Sequence, residues 1–227
     1  MNKTKIEWCD SSLNPVVGCT YGCKYCYARR MNDRFKWIHD FSKPQFFPER
    51  LEQLKSKAPK IIFMDSMSDI ADWKEEFVIE TFKAIGNNPQ HRYLFLTKRI
   101  DRYMEKALRT EKIRNAMLVL NPLYYFGHTI DTQIRLNNLK YDVDFYSVEP
   151  ILEPIEFSND DLVYSQWVII GAETGNRKDK IIPEKEWIDD IVKKCKENDS
   201  PVFMKDSLIS IVGEENMLRE FPEGLRR

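Results

Sequence analysis

The chain reads as an α/β protein: a partial TIM-like (β/α)6 barrel with parallel strands, and with one extra C-terminal strand as an open alternative. Three observations carry that reading. Short apolar runs alternate with amphipathic helical patterns six or seven times along 227 residues. The runs are rich in β-branched and aromatic residues, as buried strands are. Most end in a small or polar residue, and in barrels of this kind chemistry gathers at the C-terminal ends of strands. The length suits a single domain, 1–227, with the segment 200–227 packing as an extension.

The apolar runs are Pro15 to Gly18, Ile61 to Met64, Tyr93 to Leu96, Leu123 to Gly127, Val143 to Val148, Trp167 to Gly171 and Val202 to Met204. Helical patterns lie between them. One covers Lys24 to Trp37. Another, Glu75 to Ile85, places Val78, Phe82 and Ile85 at spacings of four and three. Asp131 or Thr132 caps a helix reaching Leu139. Glu184 to Lys196 carries Trp187, Ile188, Ile191, Val192 and Cys195 on one face, so Cys195 reads as a small core residue. Within Asn115 to Tyr125 the pattern is ambiguous, and Met117 to Leu120 reads as a strand of its own or as a lead-in to the next.

Hydrophobic residues at 42% and charged residues at 31% place the chain among globular rather than disordered sequences. The formal net charge of −1 gives no global pull toward nucleic acid or anionic lipid and leaves a local basic patch open. The start, MNKTKIEWCDSSLN, is polar and lacks an apolar h-region, and no run reaches a membrane span, so the cytoplasm is expected and a membrane is not.

Three of the five cysteines, Cys19, Cys23 and Cys26, fall within eight residues. A disulfide framework does not need that crowding, so the loop reads as a metal or redox site. Thiolates bind zinc or iron–sulfur clusters. A structural zinc site usually has four protein ligands, and no fourth cysteine or histidine lies at a ligand spacing. A cubane held by three cysteines leaves one iron open, a reactive arrangement. Cys9, ten residues earlier, reads as a bystander.

The string Gly18-Cys19-Thr20-Tyr21-Gly22-Cys23-Lys24-Tyr25-Cys26-Tyr27, with an aromatic residue before its third cysteine, resembles the signature of the radical S-adenosylmethionine (SAM) enzymes. Its place between the first apolar run and the first long helix agrees. Further strings resemble a phage- and prophage-associated branch similar to the spore photoproduct lyase group. They are Ile6-Glu7-Trp8, Asn14-Pro15-Val16-Val17-Gly18, Met64-Asp65-Ser66-Met67-Ser68-Asp69, Leu96-Thr97-Lys98-Arg99, Ser147-Val148-Glu149-Pro150, Ile170-Gly171-Ala172-Glu173-Thr174-Gly175 and Val202-Phe203-Met204-Lys205. Many relatives of that branch have a longer gap between the first two cysteines; this chain has the short gap of the main signature.

The resemblance implies a [4Fe-4S] cluster on Cys19, Cys23 and Cys26, with SAM on the fourth iron. It implies reductive cleavage of SAM to methionine and a 5′-deoxyadenosyl radical that abstracts hydrogen from a substrate. It further implies an electron donor such as flavodoxin or ferredoxin. Phage association points to a nucleotide or nucleic acid as substrate, by analogy at family level. Tyr25 is implied to place its backbone near the adenine.

The other candidates each carry two readings. Asp65, Ser66, Ser68 and Asp69 bind the SAM amino group, as the equivalent loop does in the superfamily, or cap the helix before Glu75. Lys98 pairs with the SAM carboxylate or starts the next helix in solvent beside Arg99 and Arg102. Thr129 and Asp131 bind ribose hydroxyls or cap a helix. Glu149 and Glu173 end buried strands, where an unpaired carboxylate is costly, so both read as SAM or substrate ligands. Arg29, Arg30 and Arg34 form a solvated basic face or a phosphate-binding patch. The competing reading for the whole chain is a phage accessory binding protein stabilised by zinc or by a non-catalytic iron–sulfur cluster.

Overall fold

Strands buried on both faces organise the chain, as parallel sheets require. A computed structural model describes residues 2–121 and 123–225, with only the backbone described for Asn2 and Lys3. It divides into two compact units, Met1–Tyr125 and Phe126–Arg227.

In the first unit β1 (Asn2–Lys3) pairs antiparallel with β2 (Ser11–Ser12). A separate two-stranded ribbon joins β3 (Val16–Val17) to β4 (Gln45–Phe46), also antiparallel. Helix α1 (Tyr27–Phe35) lies between the ribbon's strands in sequence. Strand β5 (Ile61–Phe63) runs parallel to β2 and to β6 (Arg92–Thr97). Helix α2 (Glu75–Gly86) connects β5 to β6, burying Val78, Phe82 and Ile85 as their spacing predicts. Phe82 stacks on Phe95 of β6 at 5.9 Å, and Trp8 meets Phe63 at 4.8 Å, so large rings fill this core. Helices α3 (Ile100–Arg109) and α4 (Glu111–Leu120) follow.

Strand β7 (Tyr124–Thr129) runs across the division between the units. In the second unit it pairs parallel with β8 (Phe145–Val148), β8 with β9 (Val168–Ile170), and β9 with β10 (Val202–Met204). Helices α5 (Gln133–Asn137), α6 (Asn159–Val163) and α7 (Lys185–Glu197) alternate with these strands, and α8 (Ile209–Val212) follows them. Cys195 is fully buried on α7 beside Ile188 and Ile191, the core position its spacing predicts. Trp167 anchors this unit, with Phe221 at 5.2 Å and Phe203 at 6.1 Å.

The α/β class is therefore as expected. Each unit carries parallel strands with helices between them, in the chain order of a partial TIM-like fold, and β10 is the additional C-terminal strand. Two elements differ from the sequence reading. The run Pro15 to Gly18 forms the antiparallel ribbon strand β3, and the strand that pairs parallel with β5 is Ser11–Ser12, too short and polar to show a hydrophobic pattern. Met117 to Leu120 is the end of α4, with Leu118 and Val119 exposed. No helix among the described residues is long and apolar enough to cross a membrane.

Candidate functional site

The cysteine loop begins where β3 ends. Gly18 has φ +113°, a conformation L side chains rarely adopt. A Cβ there would lie 2.9 Å from both the Phe41 carbonyl oxygen and the Pro44 Cα. This close approach turns the chain so that Gly18 N–H donates to Met67 O (3.0 Å) and Cys19 N–H to Phe41 O (2.8 Å). The loop closes on a turn in which Cys26 N–H donates to Cys23 O, and Cys26 then caps α1, its Sγ accepting from Arg29 N–H at 3.4 Å. Cys19 Sγ accepts from Tyr21 N–H at 3.4 Å.

Beneath the loop lies the segment after β5. Asn14 Oδ1 accepts from Met67 N–H (2.8 Å) and Ser66 Oγ (3.1 Å), and the Tyr27 hydroxyl donates to Ser66 O (2.6 Å). Trp73 Nε1–H donates to Ser68 Oγ (2.9 Å). Asp69 accepts from Ala71 N–H (3.0 Å), Thr97 Oγ1 (2.6 Å) and Lys98 N–H (3.2 Å). Asp69 thus caps the short 3-10 turn Ile70–Asp72, while Lys74, the N-cap of α2, makes no side-chain cap. Asp65 is 2% exposed; its Oδ1 accepts from Leu96 N–H (3.0 Å) and its Oδ2 has no partner. Burial pushes the Asp65 carboxyl well above its ordinary range, and neighbouring Asp69 adds to the effect.

Two residues outside the set of candidate ligands, Asp72 and Arg99, hold this assembly together. Asp72, with 1% of its side chain exposed, accepts from Thr20 N–H (2.7 Å) and Oγ1 (2.9 Å) inside the cysteine loop. Arg99 pairs with Asp72 at 2.6 Å, lies 3.8 Å from Asp69, donates to Thr20 Oγ1 (3.1 Å) and sits over the Tyr21 ring at 5.3 Å. Arg99 is therefore not the solvated helix start it was weighed as. Lys98 Nζ lies 5.1 Å from the Tyr25 ring centroid, a cation–π contact that holds the ammonium near the loop.

The first unit thus brings together Cys19, Cys23, Cys26, Tyr25, Asp65, Ser66, Ser68, Asp69 and Lys98. In the second unit, Thr129 ends β7, buried. Glu149 follows β8 and pairs with Lys205, which follows β10. The chain is narrow there: a Cβ on Gly171 would lie 3.2 Å from Lys205 Cδ and 3.3 Å from Glu149 Cγ. Glu173 accepts two hydrogen bonds from Arg177, from Nε and Nη2, each 2.8 Å. The burial cost that marked both glutamates is met by cations of the same unit. Asp131 likewise pairs with Arg135 at 2.6 Å. Lys205, absent from the sequence candidates, has the same signal as Lys98: a lysine directly after a buried strand.

Among the described residues, no group of three Cys, His, Asp or Glu side chains is placed to hold a single metal ion. A cubane takes one thiolate at each of three iron corners, a different demand from convergence on one ion. The residues fit such a cluster in three respects. Cys19, Cys23 and Cys26 form no disulfide, and each is part-buried. Backbone N–H groups already point at two of the sulfurs, as they do where thiolate charge is stabilised. The α1 N-terminus, with no acidic residue in its first turn, favours an anion beside Cys26. Burial raises the Cys19 thiol to about 12, so the loop without metal holds it protonated, and metal ligation must displace that proton.

Comparison with known proteins finds 26% identity over 156 residues with the uncharacterized protein MJ0683 of Methanocaldococcus jannaschii. That match covers 65% of this chain and 53% of the relative, so the chain spans about half the length of the curated relative it matches. No solved structure matches. The family model described as "Protein of unknown function (DUF5131)" matches residues 3–209, cysteine loop and strand ends included, and the chain belongs to that family.

Proposed function

We propose that this chain is a radical SAM enzyme whose [4Fe-4S] cluster is held by Cys19, Cys23 and Cys26. The observation that carries the reading is the three-cysteine loop folded onto the segment after a parallel strand, with N–H donors at two of its sulfurs. When bound, such a cluster supplies one electron to the SAM sulfonium, whose cleavage gives methionine and a 5′-deoxyadenosyl radical able to take a hydrogen atom from substrate.

The chain's own residues bind and orient. The Asp72–Arg99 pair fixes Thr20 and hence the spacing between Cys19 and Cys23. Lys98, steadied on Tyr25, offers a cation to the SAM carboxylate. Ser66, Ser68, Asp65 and Asp69, on the segment after β5, are assigned to its amino group. Thr129, Glu149 and Glu173, at strand ends of the second unit, are assigned to SAM or substrate. The reading places the chain in the cytoplasm with a reduced flavodoxin or ferredoxin as electron donor.

The test is anaerobic reconstitution with iron and sulfide, then dithionite and SAM. We expect a brown protein with iron and sulfide in equal amounts, and 5′-deoxyadenosine as product. Replacing Cys19, Cys23 or Cys26 by Ala abolishes iron uptake, whereas Cys195→Ala leaves it unchanged. Tight zinc at one per chain, with no cluster uptake and no SAM cleavage, would establish the metal-stabilised binding protein instead.

A further inference from the structure

Helix α1 turns an unusual face to solvent. Tyr27, Arg30, Met31, Arg34 and Phe35 recur at helical spacings of three and four, so they form one stripe, and all five are exposed, while Ala28 and Asn32 face the core. Tyr27 is 47% exposed and Phe35 49%, too much ring surface to be explained by packing. Trp37, 42% exposed, extends the stripe by stacking on Phe35, with centroids 5.3 Å apart and planes 21° from parallel. The Tyr27 ring is held in place by its hydroxyl's bond to Ser66 O. Between residues 24 and 37 five basic residues face one acid, Asp33, in a chain whose net charge is −1. The positive charge is therefore local, and it coincides with the exposed rings.

We propose that this stripe binds single-stranded nucleic acid, with Arg30 and Arg34 on phosphates and Tyr27, Phe35 and Trp37 as stacking surfaces for bases. Guanidinium groups interleaved with rings match a polyanion whose bases are splayed from its backbone. A duplex keeps its bases stacked and offers the rings nothing. A bilayer would have to take in the Tyr27 ring, but its hydroxyl is tied to Ser66 O, which leaves only Met31, Phe35 and Trp37 to insert. The proposal does not depend on the cluster, since its readout is binding and not SAM cleavage.

The test is fluorescence anisotropy of the full chain with labelled oligothymidylate or oligouridylate of about sixteen nucleotides, enough for one site. Binding of either strand, weakened by added salt, is expected. Trp37→Ala should weaken it about tenfold and leave the salt slope unchanged, as loss of a base stack does. Arg30→Ala and Arg34→Ala should each lower the slope by about 0.7, as loss of a phosphate contact does. Trp37→Phe and Arg34→Lys, which keep ring and charge, should retain binding and so separate lost contacts from lost folding. Equal affinity for a duplex of the same length, equal competition by polyglutamate, retention on anionic vesicles, or no binding at low salt would each overturn the proposal.

Discussion

Arg99 shows how much one buried cation can organise. Its partner Asp72 has almost no contact with solvent, so removing the guanidinium leaves a buried carboxylate with only the more exposed Arg102, at 3.6 Å, as counter-charge. Arg99→Met should therefore lower the free energy of unfolding by about 2 kcal/mol, below the full cost for a buried pair because Arg99 is partly solvated. Burial alone would raise the Asp72 carboxyl; the Arg99 and Thr20 donors outweigh it and hold the group below its ordinary 3.8. A depressed folded value means stability present above 3.8 and lost as pH falls through the folded value. The difference between wild type and variant in urea titrations should therefore shrink on acidification. Asp65 has the opposite sign. Its raised folded value means stability falls as pH climbs above 3.8, so Asp65→Asn should stabilise the ligand-free chain, with a Tm gain larger at pH 8 than at pH 5. A Tm loss of equal size at both values would show that the carboxylate is charged and satisfied. The sequence singled out Lys98 and not Arg99 because nothing local distinguishes two adjacent cations at a strand end. The difference arises from Asp72 and Thr20, which reach Arg99 only in three dimensions.

At the scale of elements, the cysteine loop depends on backbone geometry as much as on sulfur. Gly18 and Gly22 both have positive φ, +113° and +80°, but only Gly18 is crowded. Gly18→Ala should cost about 3 kcal/mol, since strain and overlap with the Phe41 and Pro44 backbone add, and should reduce iron uptake on reconstitution. Gly22→Ala meets nothing within 4 Å, so about 1 kcal/mol of strain is expected with iron uptake retained. Thermal unfolding and iron analysis of the two variants separate these outcomes. Helices with an apolar face were legible: α2 and α7 fall within one residue of their sequence boundaries because their buried residues repeat at helical spacing. Helix α1 is shorter than its pattern suggested, because Cys26 caps it at the loop. The end of α4 was hidden because its apolar side chains, Leu118 and Val119, point outward and break the expected periodicity. Strand β2, two serines long, has no pattern to read.

For the molecule as a whole, the α/β class was legible because it depends on alternation, a property that survives errors in any one element. The strand-end residues were legible as positions, but their partners were not: Lys205 and Arg177 neutralise Glu149 and Glu173 through contacts that one-dimensional spacing does not encode. The large rings of both units, Trp8, Phe63 and Phe95 in one and Trp167 and Phe203 in the other, pack without help from a metal. The Cys19→Ala/Cys23→Ala/Cys26→Ala chain should therefore keep its far-UV circular dichroism and a cooperative transition while taking up no iron, unlike small domains that fold only around their metal. Met67, Asp72, Arg99 and Phe41, the partners described for the cysteine loop, all precede residue 126. A ribosome that has released only the first half of the polypeptide has already delivered every one of them, so loop assembly need not wait for the second half to be synthesised.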